Sequence, residues 1–210
     1  SVGKIICVGL NYSDHAAESG MPIPSEPILF LKASSSIAGP NDDIQIPRGS
    51  QKTDWEVELG VVIGEPGKYI SAERALQHVA GYCVINDLSE RAYQLERGGQ
   101  WDKGKGCDTF APIGPWLVTA DEIADPQALN LRCFVNDELR QSSNTKYMIH
   151  PVAAQLAYLS TAFTLESGDI LATGTPEGVG VGMEPPQFLN HGDVVRCEID
   201  GIGVIENRIG

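Results

Sequence analysis

The run Asp54-Trp55-Glu56-Val57-Glu58-Leu59-Gly60-Val61-Val62-Ile63 constrains this chain more than any other segment. Its period of two predicts a β-strand with Glu56 and Glu58 on one face and Trp55, Val57 and Leu59 on the other. The second half of the run is apolar without alternation, as in a strand covered on both sides. Two carboxylates at the edge of a core repel each other and resist desolvation. They need a cation, a shared proton or water, and a hard divalent metal satisfies both at once. A solvated strand edge is the alternative, and the apolar continuation argues against it.

The rest of the chain predicts many short strands and few helices. Lys4 to Gly9, Ile28 to Lys32, Tyr82 to Ile85, Trp116 to Val118 and Leu131 to Asn136 have strand character. Ser13 or Asn11 is expected to cap a helical turn through Glu18, and prolines at 22, 24 and 27 force an extended connection after it. Ser71 is expected to cap a helix from Glu73 to Ala80, and Leu88 to Leu95 reads as a helix or turn. A helix starting at Pro151 places Val152, Leu156, Leu159 and Phe163 on one stripe. Turn-plus-strand units follow at Gly168 to Ala172 and His191 to Val195, then a hairpin from Glu198 to Glu206 around Asp200-Gly201. This pattern predicts a β-rich α+β fold, its sheets rolled into a barrel or sandwich, as one domain over residues 1–210 without repeat or linker.

A formal net charge of −13 argues against nucleic acid as a partner, since phosphate would be repelled. No apolar run approaches the roughly 18 residues of a membrane helix, and no signal-peptide pattern opens the chain. The five cysteines are dispersed, with no Cys-x-x-Cys, which fits buried thiols in a reducing cytoplasm. Cys107 stands apart, in a polar, glycine-rich stretch where a thiol can be reactive.

Asp87 ends the apolar strand Tyr82 to Ile85 and supplies a third carboxylate. Three carboxylates leave about half an octahedral shell for water and substrate oxygens, which suits Mg²⁺ or Mn²⁺. His15 and Glu18 share a helical face, so the carboxylate can fix the imidazole tautomer and raise its basicity, as a general base requires. Lys103 and Lys105 lie among glycines, where a lysine can hold a developing negative charge or the loop can simply be solvated. Thr173 to Gly182 is also glycine-rich but lacks the spacing of a dinucleotide or phosphate loop; its hydroxyls and amides would suit a carboxylate. His78, His150 and His191 read as structural or solvated.

In this order, five segments resemble the fumarylacetoacetate hydrolase family. They are Gly9-Leu10-Asn11-Tyr12 with His15 and Glu18, Asp54 to Leu59, Asn86 to Arg91 with Gln94, Lys105 to Thr109, and Thr173 to Gly180. The resemblance implies a mixed β-sandwich roll, usually a homodimer, with Mg²⁺, Mn²⁺ or Ca²⁺. It makes Glu56, Glu58 and Asp87 the metal ligands, His15 with Glu18 the catalytic base on a lid, and Lys105 the oxyanion-side cation. It places Arg91, Gln94 and Thr175 in the substrate pocket. Many members carry an amino-terminal domain before the first strand, so this chain is expected to be a trimmed catalytic core. The implied chemistry is cleavage of a small 2,4-dioxo acid, either an acylpyruvate or, from the look of Ile46 to Asp54, a 2,4-diketo-3-deoxy sugar acid, to pyruvate and a carboxylic acid. The alternatives are oxaloacetate-type decarboxylation, isomerisation of a 2-hydroxy-dienoate on the same site, and a binding protein without catalysis.

Overall fold

A computed structural model describes residues 2–18, 20 and 22–210. In chain order its elements begin with β1 (Ile5–Gly9), α1 (Ser13–Glu18), β2 (Ile28–Lys32), β3 (Ile37–Ala38), β4 (Thr53–Asp54), β5 (Val57–Ile63) and β6 (Val79–Asn86). Then come β7 (Ser89–Glu90), α2 (Arg91–Leu95), α3 (Asp102–Lys105), β8 (Ala111–Thr119), β9 (Asn130–Val135) and β10 (Glu138–Asn144). The last are α4 (Val152–Ala162), β11 (Ile170–Ala172), β12 (Val194–Ile199) and β13 (Gly203–Arg208).

Seven strands form one mixed sheet in the order β2-β1-β11-β5-β6-β8-β3, with β1 parallel to β11 and β3 parallel to β8. Four more form an antiparallel sheet in the order β10-β9-β12-β13. The two pack face to face, and the main core lies between them. Val57, Leu59 and Val61 of β5 and Tyr82 and Val84 of β6 share it with Leu131, Cys133, Cys197 and Ile205. The opposite face of the large sheet carries a second core of Ile5, Cys7, Phe30, Ile85, Ala111 and Ala172. This is the predicted β-rich α+β roll. Trp55, Val57 and Leu59 fall in the main core as the strand period requires. Glu58 lies opposite Ile85, a second-core residue, in the β5–β6 register.

Several local expectations are corrected. The helix expected from Glu73 to Ala80 is a single 3₁₀ turn, Ala75–His78, and Val79 already belongs to β6. Only Ala75 of that turn is buried and Leu76 is exposed, so no apolar stripe holds a longer helix. Asn11 and Ser13, the expected caps of α1, also reach well beyond it. The Asn11 amide bonds His150 and Thr173, and the Ser13 hydroxyl donates to the Tyr147 carbonyl. Buried carbonyls at 150 and 173 need donors, and Asn11 supplies them. The strand β10 escaped the sequence pattern, although Asn136 and Asp137 are both left-handed, as a two-residue hairpin turn requires. No helix among the described residues is long and apolar enough to cross a membrane.

Candidate metal centre and active site

The β5–β6 register builds the site floor. The strands are antiparallel, with Val57 opposite Asn86, so the start of β5 meets the end of β6. The Asp87 amide donates to the Glu56 carbonyl (2.9 Å), and the Glu56 amide donates to the Asn86 side chain (3.0 Å). Glu56, Glu58 and Asp87, all buried, thereby bring carboxylate oxygens within 4.8 Å of one another.

Three buried cations balance most of this charge. Lys105 Nζ lies 2.7 Å from Glu56 Oε2 and 2.8 Å from Asp87 Oδ2. Lys32 Nζ reaches Asp87 Oδ1 and donates to the Leu88 carbonyl. Arg91 Nη2 lies 2.8 Å from Glu56 Oε1, while its Nε donates to Asp54 Oδ2 (2.8 Å). No ion pair reaches Glu58 among the described residues; its carboxylate accepts from the Gly174 amide at 2.8 Å.

The titration behaviour follows from that asymmetry. Burial pushes the Glu56 carboxyl up, but Lys105 and Arg91 outweigh it and hold it at about 2. Burial, Asp87 and Glu56 together push Glu58 well above the ordinary carboxylate range. Burial works against the Lys105 ammonium, yet Asp87 and Glu56 hold its pKa above the usual lysine value. Three converging oxygen donors, one without a cation, fit a hard divalent ion: its charge would compensate Glu58.

The predicted dyad reaches the same place. His15 Nδ1 and Glu18 Oε2 are 3.0 Å apart, and Glu18 Oε1 accepts from the Gly178 amide at 3.0 Å. His15 lines a cavity of about 50 Å³ with Glu56 and Glu58. Arg91, Gln94, Lys105 and Thr175 line it too, so all the predicted site residues except Asp87 and Glu18 border one space, and those two contact residues that do. Gln94 accepts from Arg91 Nη1 (3.0 Å). The Thr175 hydroxyl donates to the Val57 carbonyl and accepts from Gln141 Nε2, which ties the 173–182 loop to β5.

That loop corrects an expectation: its amides do take carboxylates, but the protein's own. Gly174 serves Glu58, Gly178 serves Glu18, and Gly180 and Val181 serve Asp54. Gly178 has φ +96°, and a Cβ there would lie 2.0 Å from the Arg140 carbonyl oxygen, so no other residue fits. The lysine segment is no open loop either, because Lys105 ends α3 fully buried. Cys107 is half-buried, and burial pushes its thiol up, away from reactivity.

Sequence reasoning missed two residues here. Lys32 ends β2 and reads only as a strand terminus, since its reach to Asp87 depends on tertiary packing. Asp54 was read only as part of its motif. It is buried and accepts from Trp55 N, Gly180 N, Val181 N and Arg91 Nε. A charged residue directly before a buried tryptophan was the available signal.

Known proteins resemble this chain over nearly its whole length. A Burkholderia multivorans protein named only as a hydrolase is 61% identical over 203 residues, 96% of this chain and 72% of the relative. The solved fumarylpyruvate hydrolase of Pseudomonas aeruginosa, in complex with Mn²⁺ and pyruvate, is 34% identical with a TM-score of 0.90, covering 99% of this chain and 89% of that one. The 5-carboxymethyl-2-hydroxymuconate delta-isomerase of Mycobacterium smegmatis is 40% identical with a TM-score of 0.88, covering 99% and 78%. The model of the fumarylacetoacetate (FAA) hydrolase C-terminal domain matches residues 4–210, and the chain belongs to the fumarylacetoacetate hydrolase family.

Proposed function

We propose that this chain is a metal-dependent hydrolase that cleaves the C3–C4 bond of a small 2,4-dioxo acid, releasing pyruvate and a carboxylic acid. The observation that carries this is the convergence of a buried three-carboxylate cluster and a His15–Glu18 pair on one cavity. A divalent ion held by Glu56, Glu58 and Asp87, Mg²⁺ or Mn²⁺ by the hardness of the donors, supplies positive charge for the oxygens of a 2-oxo carboxylate.

The chain's own residues do the rest. Glu18 accepts from His15 Nδ1–H, which leaves Nε2 as the proton acceptor. Nε2 takes a proton from water, and the hydroxide adds to the C4 carbonyl carbon. Lys105 supplies a fixed ammonium beside the developing charge, and Arg91 and Gln94 orient the head of the substrate. The C3–C4 bond then breaks, C4 leaves as the carboxylic acid, and His15 returns its proton to C3.

Isomerisation is the second reading, favoured by the likeness to a protein named as an isomerase. It needs proton transfer by His15 but no attacking water. Incubation with acetylpyruvate and Mn²⁺, following pyruvate and acetate together, tests the proposal; release of neither from any 2,4-dioxo acid, alongside isomerisation of a 2-hydroxy-dienoate, would replace it. We also propose a homodimer, supported by the exposed Trp116, Leu117 and Val204 on β8 and β13 and tested by light scattering. A cytoplasmic location agrees with five free cysteines.

A further inference from the structure

The cavity at the carboxylates is too small for a whole substrate. At roughly 10–15 Å³ of such space per water, its 50 Å³ admits a handful of heavy atoms, enough for a carboxylate and the adjoining oxo group. A larger cavity of about 370 Å³ adjoins it, and Phe30 and Trp101 line both. Their rings meet edge to face, with centroids 5.6 Å apart. A Cβ at Gly9 would come within 2.5 Å of the Trp101 ring, so this glycine gives the indole its seat.

The outer cavity is mostly apolar, with Ile28, Leu29, Leu31 and Phe163 on its walls beside Gln100 and Asp102. Among the described residues it is lined by no lysine, arginine or histidine. Its one charged side chain, Asp102, is committed to the Leu31 amide and Gln100 Nε2.

The inner charges point the same way. In the linked ion pairs at the site, Asp54, Glu56 and Asp87 are matched by Lys32, Arg91 and Lys105, which leaves Glu58 over. The buried Glu90 is held apart from them by Ser50, Thr53 and the Ala92 amide. Within that linked set a divalent ion would turn one excess negative charge into one excess positive charge. One substrate carboxylate neutralises that, while a second would be uncompensated.

We propose that the substrate carries a single carboxylate and an uncharged tail, and that the tail lodges beyond Phe30 and Trp101 in the outer cavity. This rests on the hydrolase reading for the identity of the head group only. The experiment is calorimetric binding to the Mn²⁺-loaded chain of 2-oxohexanoate and 2-oxoadipate, which share the head and the chain length and differ by the terminal carboxylate. The monoanion should bind at least about tenfold tighter. Leu31→Lys and, independently, Gln100→Lys change exposed residues on the cavity wall, and each should bring the two ligands within about threefold by strengthening the dianion. Equal or tighter binding of 2-oxoadipate to the unaltered chain overturns the single-carboxylate claim. A ratio unmoved by both lysines overturns the location of the tail. No binding of either acid overturns this proposal and the hydrolase reading together. The tenfold preference without cleavage of any 2,4-dioxo acid supports the proposal and counts against the hydrolase reading alone.

Discussion

The floor of the site and the His15–Glu18 segment above it are built in opposite ways. Glu56, Glu58 and Asp87 sit where the central strands β5 and β6 meet, each fully enclosed, with Lys32, Arg91 and Lys105 locked among them. The dyad rides on the six-residue α1, which is too short to stand alone. The contacts that hold it include Glu18 to the Gly178 amide, Asp14 to the Ser143 hydroxyl, Ser13 to the Tyr147 carbonyl and the buried Ala16. The floor's charges are therefore part of the fold's stability, whereas those of the dyad are available for chemistry at little structural cost.

Removing a floor charge should have the largest effect on stability. Asp87→Ala leaves Lys32 without a carboxylate and takes one of two from Lys105. A broken buried pair costs about 3–5 kcal/mol, so urea denaturation of the metal-free protein should show a loss of that size. A loss below about 1 kcal/mol would mean the floor is not the structural element described. The counterpart is His15→Ala. Loss of a general base lowers kcat/KM by about 10²- to 10⁴-fold, while unfolding free energy should stay within about 1 kcal/mol, because His15 and Glu18 both keep contact with solvent. Activity within twofold of the unaltered chain would remove His15 from the reaction.

The same contrast decides what could be read from sequence. Glu56, Glu58 and their strand were legible because a period of two and an apolar run report on the strand itself. Asp87 was legible as a strand end. His15 and Glu18 were legible because they lie three apart on one turn. Lys32 and Asp54 were not, because their importance lies in partners 55 and 37 residues away. The free amides of residues 174–181 suggested an anion, but sequence spacing carries no sign that three internal carboxylates already claim them. The helix expected over 73–80 failed for a related reason, since pairing with β5 claims Val79 and leaves only Ala75 to anchor a helix.

Glu58 gives a finer test inside the floor, because it is the one carboxylate there without an ion pair among the described residues. Its folded-state pKa is raised first by burial and then by Asp87 and Glu56. The stability tied to its proton is fully present below the ordinary glutamate value and is lost as pH rises through the raised one. Metal-free protein should therefore weaken over that interval, by about 1.4 kcal/mol for each unit of elevation. Glu58→Gln keeps an acceptor for the Gly174 amide and should abolish this slope, making the metal-free variant the more stable chain at pH 7. Mn²⁺ should raise the Tm of the unaltered chain and not that of the variant. An unchanged pH slope in the variant would assign the titration to another group.

The smallest effect should come from the tether of α1. Ser143 donates from Oγ to Asp14 Oδ2 at 3.0 Å, joining the dyad's helix to β10 of the second sheet. A single hydrogen bond of this kind contributes about 1 kcal/mol net, which corresponds to roughly a fivefold change in the docked fraction of α1. Ser143→Ala should lower kcat/KM by about two- to fivefold, leave Mn²⁺ affinity unchanged, and leave the urea midpoint within experimental scatter. An altered Mn²⁺ affinity would show that α1 and the floor move as one unit. An unchanged kcat/KM would show that the other contacts of α1 suffice to dock it, among them the amide of a residue that must be glycine, Gly178, which holds Glu18 Oε1 at 3.0 Å.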